Sequence, residues 1–210
     1  MIINPLINIL IRTSNRPNYF KKCIFSVKNQ TYKNFNIIVS VDDKYTDLYV
    51  EDEGIIPVIV NLNPKDEINI CPWNLHLNSL ISEVESGWIL ILDDDDCFRD
   101  NNVLKNIAKN IERFDKNTLH VWQMQWPTGR IIPERVYIGV TPFVRKHIGM
   151  PCFTFHSKFK NKITFDAMRA ADFRVVNKLA AIVSKVNWIN KTFINIGNTG
   201  LIGAAKDLKL

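Results

Sequence analysis

The sequence predicts an α/β protein, a single domain over residues 1–210 in which a mostly parallel central sheet is flanked by helices. Short apolar runs typical of buried strands alternate with stretches in which apolar residues recur at helical spacing. Such alternation favours a parallel sheet with helices on both faces. In addition, 210 residues with 46% hydrophobic content can bury one sizeable core but are short for two domains.

The first hundred residues carry the clearest alternation. An apolar run over residues 6–11 predicts a buried strand, and the polar stretch 12–18 predicts a loop after it. Pro17 precedes apolar positions with helical spacing, so a helix is predicted over residues 19–29. Further strands are predicted over residues 35–41, 55–62 and 88–92, with a helix over residues 73–84.

The second half of the chain is less regular. Helical spacing predicts helices over residues 103–114 and 167–183. Apolar runs predict strands over residues 119–126 and 150–155. A turn is predicted at residues 127–129, and a strand followed by a turn over residues 194–201.

Composition narrows the classes of function. The net charge is +6, but no block of five or six basic residues occurs, so no nucleic-acid partner is predicted. The four cysteines are far apart and form no C-x-x-C pair, which favours reduced thiols. The sequence shows neither a signal-peptide pattern nor a run of membrane-spanning length, so we expect a cytoplasmic protein with no transmembrane segment.

Four consecutive aspartates, Asp93 to Asp96, directly follow the apolar run of residues 88–92. Adjacent carboxylates are costly to ionise together, and a divalent cation relieves that cost. Because side chains alternate along an extended backbone, Asp93 and Asp95 share one side, which is the D-x-D pattern. Ligands of open sheets bind beyond the strands' carboxyl ends, so we predict a metal or nucleotide site with Mg²⁺ or Mn²⁺. The alternative is a solvated acidic run that caps the next helix.

A second acidic pair, Asp42 and Asp43, follows the predicted strand at residues 35–41. If this strand and the strand at residues 88–92 lie in one sheet, both acidic ends open onto the same crevice. The alternative for this pair is an Asx turn after a strand.

The order and amino-acid sequence of several segments match a known family. They are Ile-Leu-Ile-Arg-Thr-Ser-Asn-Arg-Pro at 9–17, Ser-Val-Lys-Asn-Gln-Thr-Tyr at 26–32, Ile-Ile-Val-Ser-Val-Asp-Asp at 37–43, Asn-Leu-Asn at 61–63, Trp-Asn at 73–74 and Gly-Trp-Ile-Leu-Ile-Leu-Asp-Asp-Asp-Asp at 87–96. These segments resemble family 2 glycosyltransferases, which have the GT-A (nucleotide-diphospho-sugar transferase) fold. Shorter similarities follow at residues 149–153, 165–166 and 171–172. The chain departs from the family pattern at Lys44-Tyr45, where Gly-Ser is usual, and at Ala171, where Glu is usual.

The resemblance implies a metal-dependent, inverting glycosyltransferase. It would move a sugar from a nucleotide-diphosphate donor, with a UDP-sugar as the leading candidate, to a hydroxyl of a glycan or glycoconjugate. It implies a nucleotide-sugar-binding half over residues 1–100 and an acceptor-binding half over residues 101–210. The abundance of Asn, Ile and Lys is typical of an AT-rich genome such as that of a large DNA virus. In that setting the module would be a domain of a longer transferase in the host cytoplasm.

The resemblance also implies roles for single residues. The metal ligands would be Asp93 and Asp95, holding Mn²⁺ or Mg²⁺, and Asp42 would accept a hydrogen bond from the nucleotide base. The residues implied to bind the donor are Arg12, Thr13, Asn15, Arg16, Asp42, Asp43, Lys65, Asn74, Asp93 and Asp94.

Asp172 is the predicted catalytic base, with Asp166 as the fallback. The neighbouring Arg169 and Arg174 are expected to keep Asp172 ionised, while a mere surface ion pair is the alternative for it. Two other functions remain open: a sugar nucleotidyltransferase, and a nucleotide-sugar-binding module without activity, which the position of Ala171 allows.

Structural roles are the alternatives for several of the donor-binding residues. Thr13 and Asn15 could form a helix-capping loop. Arg16 could be a surface charge, and Lys65 could be solvated in a Pro-Lys-Asp turn.

Overall fold

The computed structural model describes residues 4–42, 48–60 and 71–197. Within these ranges nine strands form a single sheet, accompanied by four α-helices. The strands are β1 (Ile7–Arg12), β2 (Phe35–Val41), β3 (Val58–Ile59), β4 (Trp88–Ile91), β5 (Cys97–Phe98), β6 (Thr118–Gln125), β7 (Ile131–Ile132), β8 (Phe153–His156) and β9 (Lys185–Asn195). The α-helices are α1 (Pro17–Lys28), α2 (His76–Ser82), α3 (Val103–Ile111) and α4 (Ala171–Ile182). Short 3-10 helices lie at Leu48–Glu53, Pro72–Leu75, Arg135–Tyr137, Met150–Cys152 and Ser157–Lys162.

The sheet has two parts with different strand directions. Its order is β3-β2-β1-β4-β8-β6-β9-β5, with β7 beside β6. The strands from β3 to β4 are parallel to one another. Beyond β4, strand β8 is antiparallel to both β4 and β6, β9 is parallel to β6, and β5 is antiparallel to β9. The sheet is therefore mixed, which corrects the predicted mostly parallel sheet.

The prediction was wrong in the second half because its connections are not all helical crossovers. The turn at residues 127–129 reverses the chain, and β7 pairs with β6 in antiparallel fashion, as a short connection requires. Strand β8 follows the 3-10 helix Met150–Cys152 and not an α-helix. The strand predicted to begin at Ile194 overlaps only the last two residues of β9, because polar residues such as Asn187 and Lys191 interrupt the apolar pattern of the rest.

Most predicted elements of the first half are confirmed. Strands β1, β2 and β4 match the predicted strands to within one residue. Helix α1 begins at Pro17, and the helix predicted over residues 73–84 is divided into the 3-10 helix Pro72–Leu75 and α2. The strand predicted over residues 55–62 is reduced to β3, and its last two residues lie outside the described ranges. Later in the chain, α3, α4 and β6 confirm the elements predicted there.

Strands β1 and β4 lie at the centre of the hydrophobic core. Every residue of β4 is buried, and β1 is buried except at its last residue, Arg12. Helix α1 contributes Phe20, Cys23, Ile24 and Val27 to the same core. Burial of such side chains stabilises the fold by roughly 2 kcal/mol each. The polar segments that follow β1 and β4 therefore begin directly at the hydrophobic core.

Two expectations drawn from composition concern the thiols and the membrane. The cysteines are free, as predicted: Cys23, Cys71 and Cys152 are buried, and Cys97 is partly buried. In the part of the chain that the structure describes, no helix combines the length and apolar character needed to cross a bilayer.

Acid is expected to destabilise the protein through His120, which lies buried on β6. Asn187 lies 3.0 Å from its Nδ1, and its Nε2 has no hydrogen-bond partner among the described residues. Burial lowers the pKa of His120 to about 4. An unfolded histidine titrates near pH ~6.5, so between about pH 6.5 and pH 4 the unfolded chain binds a proton that the folded chain does not. The contribution of His120 to stability is therefore fully present above this window and falls by about 3 kcal/mol as pH drops through it.

Denaturant unfolding at several pH values measures this effect. The variant His120→Gln should lose about 3 kcal/mol of the fall in stability between about pH 6.5 and pH 4, relative to the unchanged protein, while the contribution of His156, whose pKa burial also lowers to about 4, remains. Equal pH dependence of the two proteins would contradict a buried neutral His120.

Candidate functional site

The carboxyl ends of β1, β2 and β4 open into a pocket with a volume of about 750 Å³. Because these strands are parallel neighbours, the residues at their ends meet at one edge of the sheet. Arg12, Asp42 and the segment Asp93–Asp96 line the pocket there, and the second half of the chain adds Trp126 and Asp172 to the lining. The volume is within the range of small-molecule and cofactor sites.

All four aspartates line the pocket, but they alternate in how far they are exposed. Asp94 and Asp96 are each 3% exposed, whereas Asp93 and Asp95 keep 26% and 14% of their side chains exposed. Burial raises the pKa of Asp96 well above its ordinary value, and the charges of Asp93 and Asp95 add to the rise. The two partly exposed carboxylates are the D-x-D pair, so the structure presents this pair to the pocket.

Arg12 links β1 to the acidic segment. Its Nε donates to Asp93 Oδ1 at 3.0 Å, and its Nη2 lies 2.9 Å from the same oxygen. Its Nη1 donates to Asn74 Oδ1 at 2.8 Å, and Asn74 Nδ2 donates to the Met168 carbonyl at 3.0 Å. Arg12, Asn74 and Asp93, all predicted to bind a donor, are therefore connected by hydrogen bonds in one row.

Arg16 contacts two of the four aspartates. Its Nη1 lies 2.9 Å from Asp94 Oδ1 and its Nη2 lies 2.9 Å from Asp95 Oδ2. Thr13 Oγ1 donates to the other oxygen of Asp94 at 2.8 Å. Burial raises the pKa of Asp94 to about 7, against the opposing charge of Arg16. Asp94 is thus bonded within the protein, and Arg16 faces the pocket and not the open surface.

Asp42 is paired with a histidine that the sequence does not reveal. Its Oδ1 lies 2.8 Å from His76 Nε2, and His76 Nδ1 lies 3.2 Å from Ser40 Oγ. The hydrogen bond from His76 holds the pKa of Asp42 below its ordinary value. His76 has no motif around it, so only the fold, which places the start of α2 beside the end of β2, identifies it as a partner of Asp42.

The loop between β1 and α1 contains further predicted residues. Thr13 Oγ1 lies 2.8 Å from the Tyr49 hydroxyl, and the Arg16 amide donates to that hydroxyl at 3.3 Å. Asn15 sits in this loop with a positive φ of 49°. Tyr49 contacts this loop from outside the pocket lining, and no sequence signal identifies it. Asp43 and Lys65 lie outside the described residues.

Asp172 lies in the first turn of α4 and lines the pocket. Burial raises the pKa of Asp172, and the charge of Asp93 raises it further. The hydrogen bond that the Phe173 amide donates to Asp172 Oδ1 at 2.8 Å opposes this rise. This corrects the expectation that two arginines keep its pKa low. Arg174 instead pairs with Asp166, whose pKa it lowers on the exposed surface.

The metal implied by the resemblance can be compared with the residues present. In residues 4–42, 48–60 and 71–197, no group of three or more His, Cys, Asp or Glu side chains is arranged to hold a metal by itself. Mg²⁺ sites in nucleotide enzymes commonly use one or two carboxylates, water and the substrate's phosphates. Asp93 and Asp95 provide two such carboxylates at the pocket surface. These residues fit a cation that is shared with a bound diphosphate.

Gly197 packs directly against the acidic segment. Its amide donates to Asp96 Oδ1 at 3.3 Å, and a Cβ at this position would lie 1.8 Å from the Asp95 carbonyl oxygen.

Gly197→Ala should therefore push the acidic segment away and lower the free energy of unfolding by about 2 kcal/mol in a denaturant titration. The control Gly54→Ala meets no atom within 4 Å and carries only the strain of its φ of 72°. A smaller loss at Gly197 than at Gly54 would contradict the close approach.

No family model and no curated protein matches the sequence. Several solved structures share its fold. S. aureus TarS 1-349 has a TM-score of 0.69 at 17% identity over 90% of this chain and 59% of that one. The same protein in complex with UDP-GlcNAc has a TM-score of 0.67 at 17% identity, over 90% and 57%. The mannosyltransferase PcManGT from Pyrobaculum calidifontis, in complex with GDP-Man and Mn²⁺, has a TM-score of 0.69 at 12% identity, over 92% and 57%.

These similarities define the fold of the described chain. It is a mixed α/β fold that is also found in a UDP-GlcNAc-bound protein and in a mannosyltransferase. The chain spans less than two thirds of the length of each of these structures. Their sequence identities are low, so the shared property is the fold, and the chemistry has to be argued from the pocket.

Proposed function

We propose that the protein is a metal-dependent, inverting glycosyltransferase of the family 2, GT-A type. It moves a sugar from a nucleotide-diphosphate donor to a hydroxyl of a glycan or glycoconjugate. The observation that carries this proposal is the composition of a single pocket. It brings together the D-x-D carboxylates, the adjacent Arg12 and Arg16, and the partly buried carboxylate of Asp172 from α4.

The nucleotide is assigned to the end of β2. The Asp42 carboxylate is half exposed and held by His76, which leaves it able to accept a hydrogen bond from the N–H of a base. Uracil offers such an N–H, and the TarS structure with UDP-GlcNAc supports a uridine donor. The PcManGT structure with GDP-Man makes guanosine the second nucleotide to test.

The diphosphate is assigned to the end of β4. Asp93 and Asp95 would hold Mn²⁺ or Mg²⁺ jointly with the diphosphate oxygens, and the PcManGT structure with Mn²⁺ supports a divalent ion. When bound, the ion stabilises the negative charge that develops on the leaving diphosphate. Arg12 orients Asp93 through its two contacts to Oδ1.

Asp172 is assigned as the base that accepts the proton of the attacking hydroxyl. Inverting transfer requires a base on the face of the sugar opposite the leaving group. Asp172 lines the same pocket, and its raised pKa makes its ionised form a stronger proton acceptor than an exposed carboxylate. The acceptor is assigned to the part of the pocket lining that residues 101–210 contribute, which includes Trp126 and Met150.

One assay separates this function from its alternatives. The protein is incubated with Mn²⁺ and a panel of UDP- and GDP-sugars, and release of nucleoside diphosphate is followed with and without candidate acceptors. Release of nucleoside diphosphate supports the proposal. Pyrophosphate release from a nucleoside triphosphate and a sugar phosphate would indicate a nucleotidyltransferase instead. Nucleotide-sugar binding without turnover with any acceptor would indicate an inactive binding module.

A further inference from the structure

Arg16 contacts one member of the D-x-D pair, Asp95, at an oxygen that a cation could use. Its guanidinium reaches both Asp94 Oδ1 and Asp95 Oδ2 at 2.9 Å, and its side chain is 22% exposed in the pocket. A divalent ion that uses Asp95 Oδ2 has to displace one nitrogen of this guanidinium. In the free protein, Arg16 therefore competes with the metal for a carboxylate oxygen.

The remaining contacts of the guanidinium are weak. It lies over the Tyr19 ring at 4.9 Å, and among the described residues its buried Nε and Nη2 have no hydrogen-bond partner, so Nη2 meets Asp95 as an ion pair. The two aspartates are thus its main charged partners. A stronger ligand in the pocket can draw the guanidinium away without breaking other hydrogen bonds of this side chain.

A diphosphate is such a ligand. Guanidinium groups bind phosphate oxygens through two parallel hydrogen bonds, and these charge-assisted bonds are stronger than neutral ones. A donor diphosphate beside Asp93 and Asp95 would lie next to Arg16, since all three side chains line one pocket. Movement of the Arg16 guanidinium from Asp95 to the diphosphate would free Asp95 Oδ2. The metal could then bind Asp95 and the diphosphate oxygens together.

We propose that Arg16 is an internal counter-cation that keeps divalent metal off Asp95 until the diphosphate of the nucleotide takes over its guanidinium. This inference rests on the proposed function, because it assumes that metal and nucleotide share the pocket. Its consequence is that the nucleotide increases metal affinity partly through Arg16. By thermodynamic linkage, the metal then increases nucleotide affinity by the same factor.

The test measures Mn²⁺ affinity by electron paramagnetic resonance, without nucleotide and with UDP or GDP, after correction for Mn²⁺ held by free nucleotide. The variants are Arg16→Met, which removes the charge, and Arg16→Lys, which keeps it. Arg99→Met is the matched control, since Arg99 follows the acidic segment but donates to Gln125 Oε1 and not to an aspartate.

Arg16→Met is expected to bind Mn²⁺ about 5- to 10-fold more tightly than the unchanged protein when no nucleotide is present, and to show a smaller gain on addition of nucleotide. The Mn²⁺ affinity of Arg16→Lys should lie between those of Arg16→Met and the unchanged protein, and the Mn²⁺ affinity of Arg99→Met should equal that of the unchanged protein. Thermal unfolding of each variant verifies that it is folded.

Two results overturn the inference and leave the proposed function intact. One is an unchanged nucleotide-free Mn²⁺ affinity in Arg16→Met, and the other is an equal change in Arg99→Met. If no protein of the series binds Mn²⁺, UDP or GDP, the proposed function fails and the inference fails with it.

Discussion

Replacing Asp172 by asparagine is expected to lower kcat by about 10²- to 10⁴-fold, the contribution typical of a general base. The amide has nearly the same shape, but it cannot accept the proton of the attacking hydroxyl. The helix start should survive, because the asparagine oxygen can still accept from the Phe173 amide. Binding of the nucleotide sugar, measured by calorimetry, should stay within about threefold of the unchanged protein, since the base contributes to the transition state and not to donor binding.

Asp166→Asn is the matched control, because Asp166 was the alternative base. Asp166 is exposed and paired with Arg174, and it does not belong to the pocket lining. This variant should keep nearly full activity. Retained turnover in Asp172→Asn together with a large loss in Asp166→Asn would transfer the base role to Asp166.

Replacing Asp95 by alanine is expected to lower kcat/KM at least about 100-fold and to abolish the stimulation by Mn²⁺, because a metal ligand stabilises charge on the leaving diphosphate. The same change also removes the partner of Arg16 Nη2. Donor binding should weaken in the presence of Mn²⁺ and change little in its absence. Calorimetry with a UDP-sugar, with and without Mn²⁺, separates these two conditions.

Asp52→Ala makes the same chemical change at an exposed position within the 3-10 helix Leu48–Glu53. It should leave both donor binding and Mn²⁺ dependence unchanged. A loss of Mn²⁺ dependence in this control, or its persistence in Asp95→Ala, would contradict the assignment of Asp95 as a ligand.

The central part of the fold is predictable because its signals are local. Residues 88–92 are apolar throughout, and residues 6–11 are apolar except for Asn8, as expected for strands buried on both faces, and β1 and β4 form there. The acidic segment follows β4 directly, so strand direction alone places it at the ligand-binding edge. The alternating exposure of the four aspartates is predicted for an extended backbone, but it arises in a turn at Asp94 and Asp95 that the hydrogen bond from the Asp96 amide to the Asp93 carbonyl closes.

The rest depends on contacts between distant parts of the chain. His76 meets Asp42 only because β2 and α2 pack together, and Tyr49 meets Thr13 from a 3-10 helix that no periodicity indicates. The direction of β8 and the existence of β9 depend on sheet pairing, which polar residues obscure in the sequence. The pKa of Asp172 depends on burial, which outweighs the nearby arginines.

The pairing of Arg16 with Asp94 and Asp95 belongs to the same class of long-range contacts. The sequence predicts that Arg16 binds the donor or lies at the surface, and neither role includes competition with a metal. The competition appears only when the loop after β1 and the segment after β4 are placed side by side.

A crystal structure of the protein soaked with Mn²⁺ and a UDP-sugar, recorded at a wavelength with strong manganese anomalous scattering, tests the central claim most directly. The account predicts one anomalous peak within coordinating distance of Asp95 and the diphosphate, with the base near Asp42 and the Arg16 guanidinium moved onto the phosphates. Nucleotide density elsewhere on the protein, or saturating nucleotide in the pocket with no manganese peak beside Asp93 and Asp95, would contradict it.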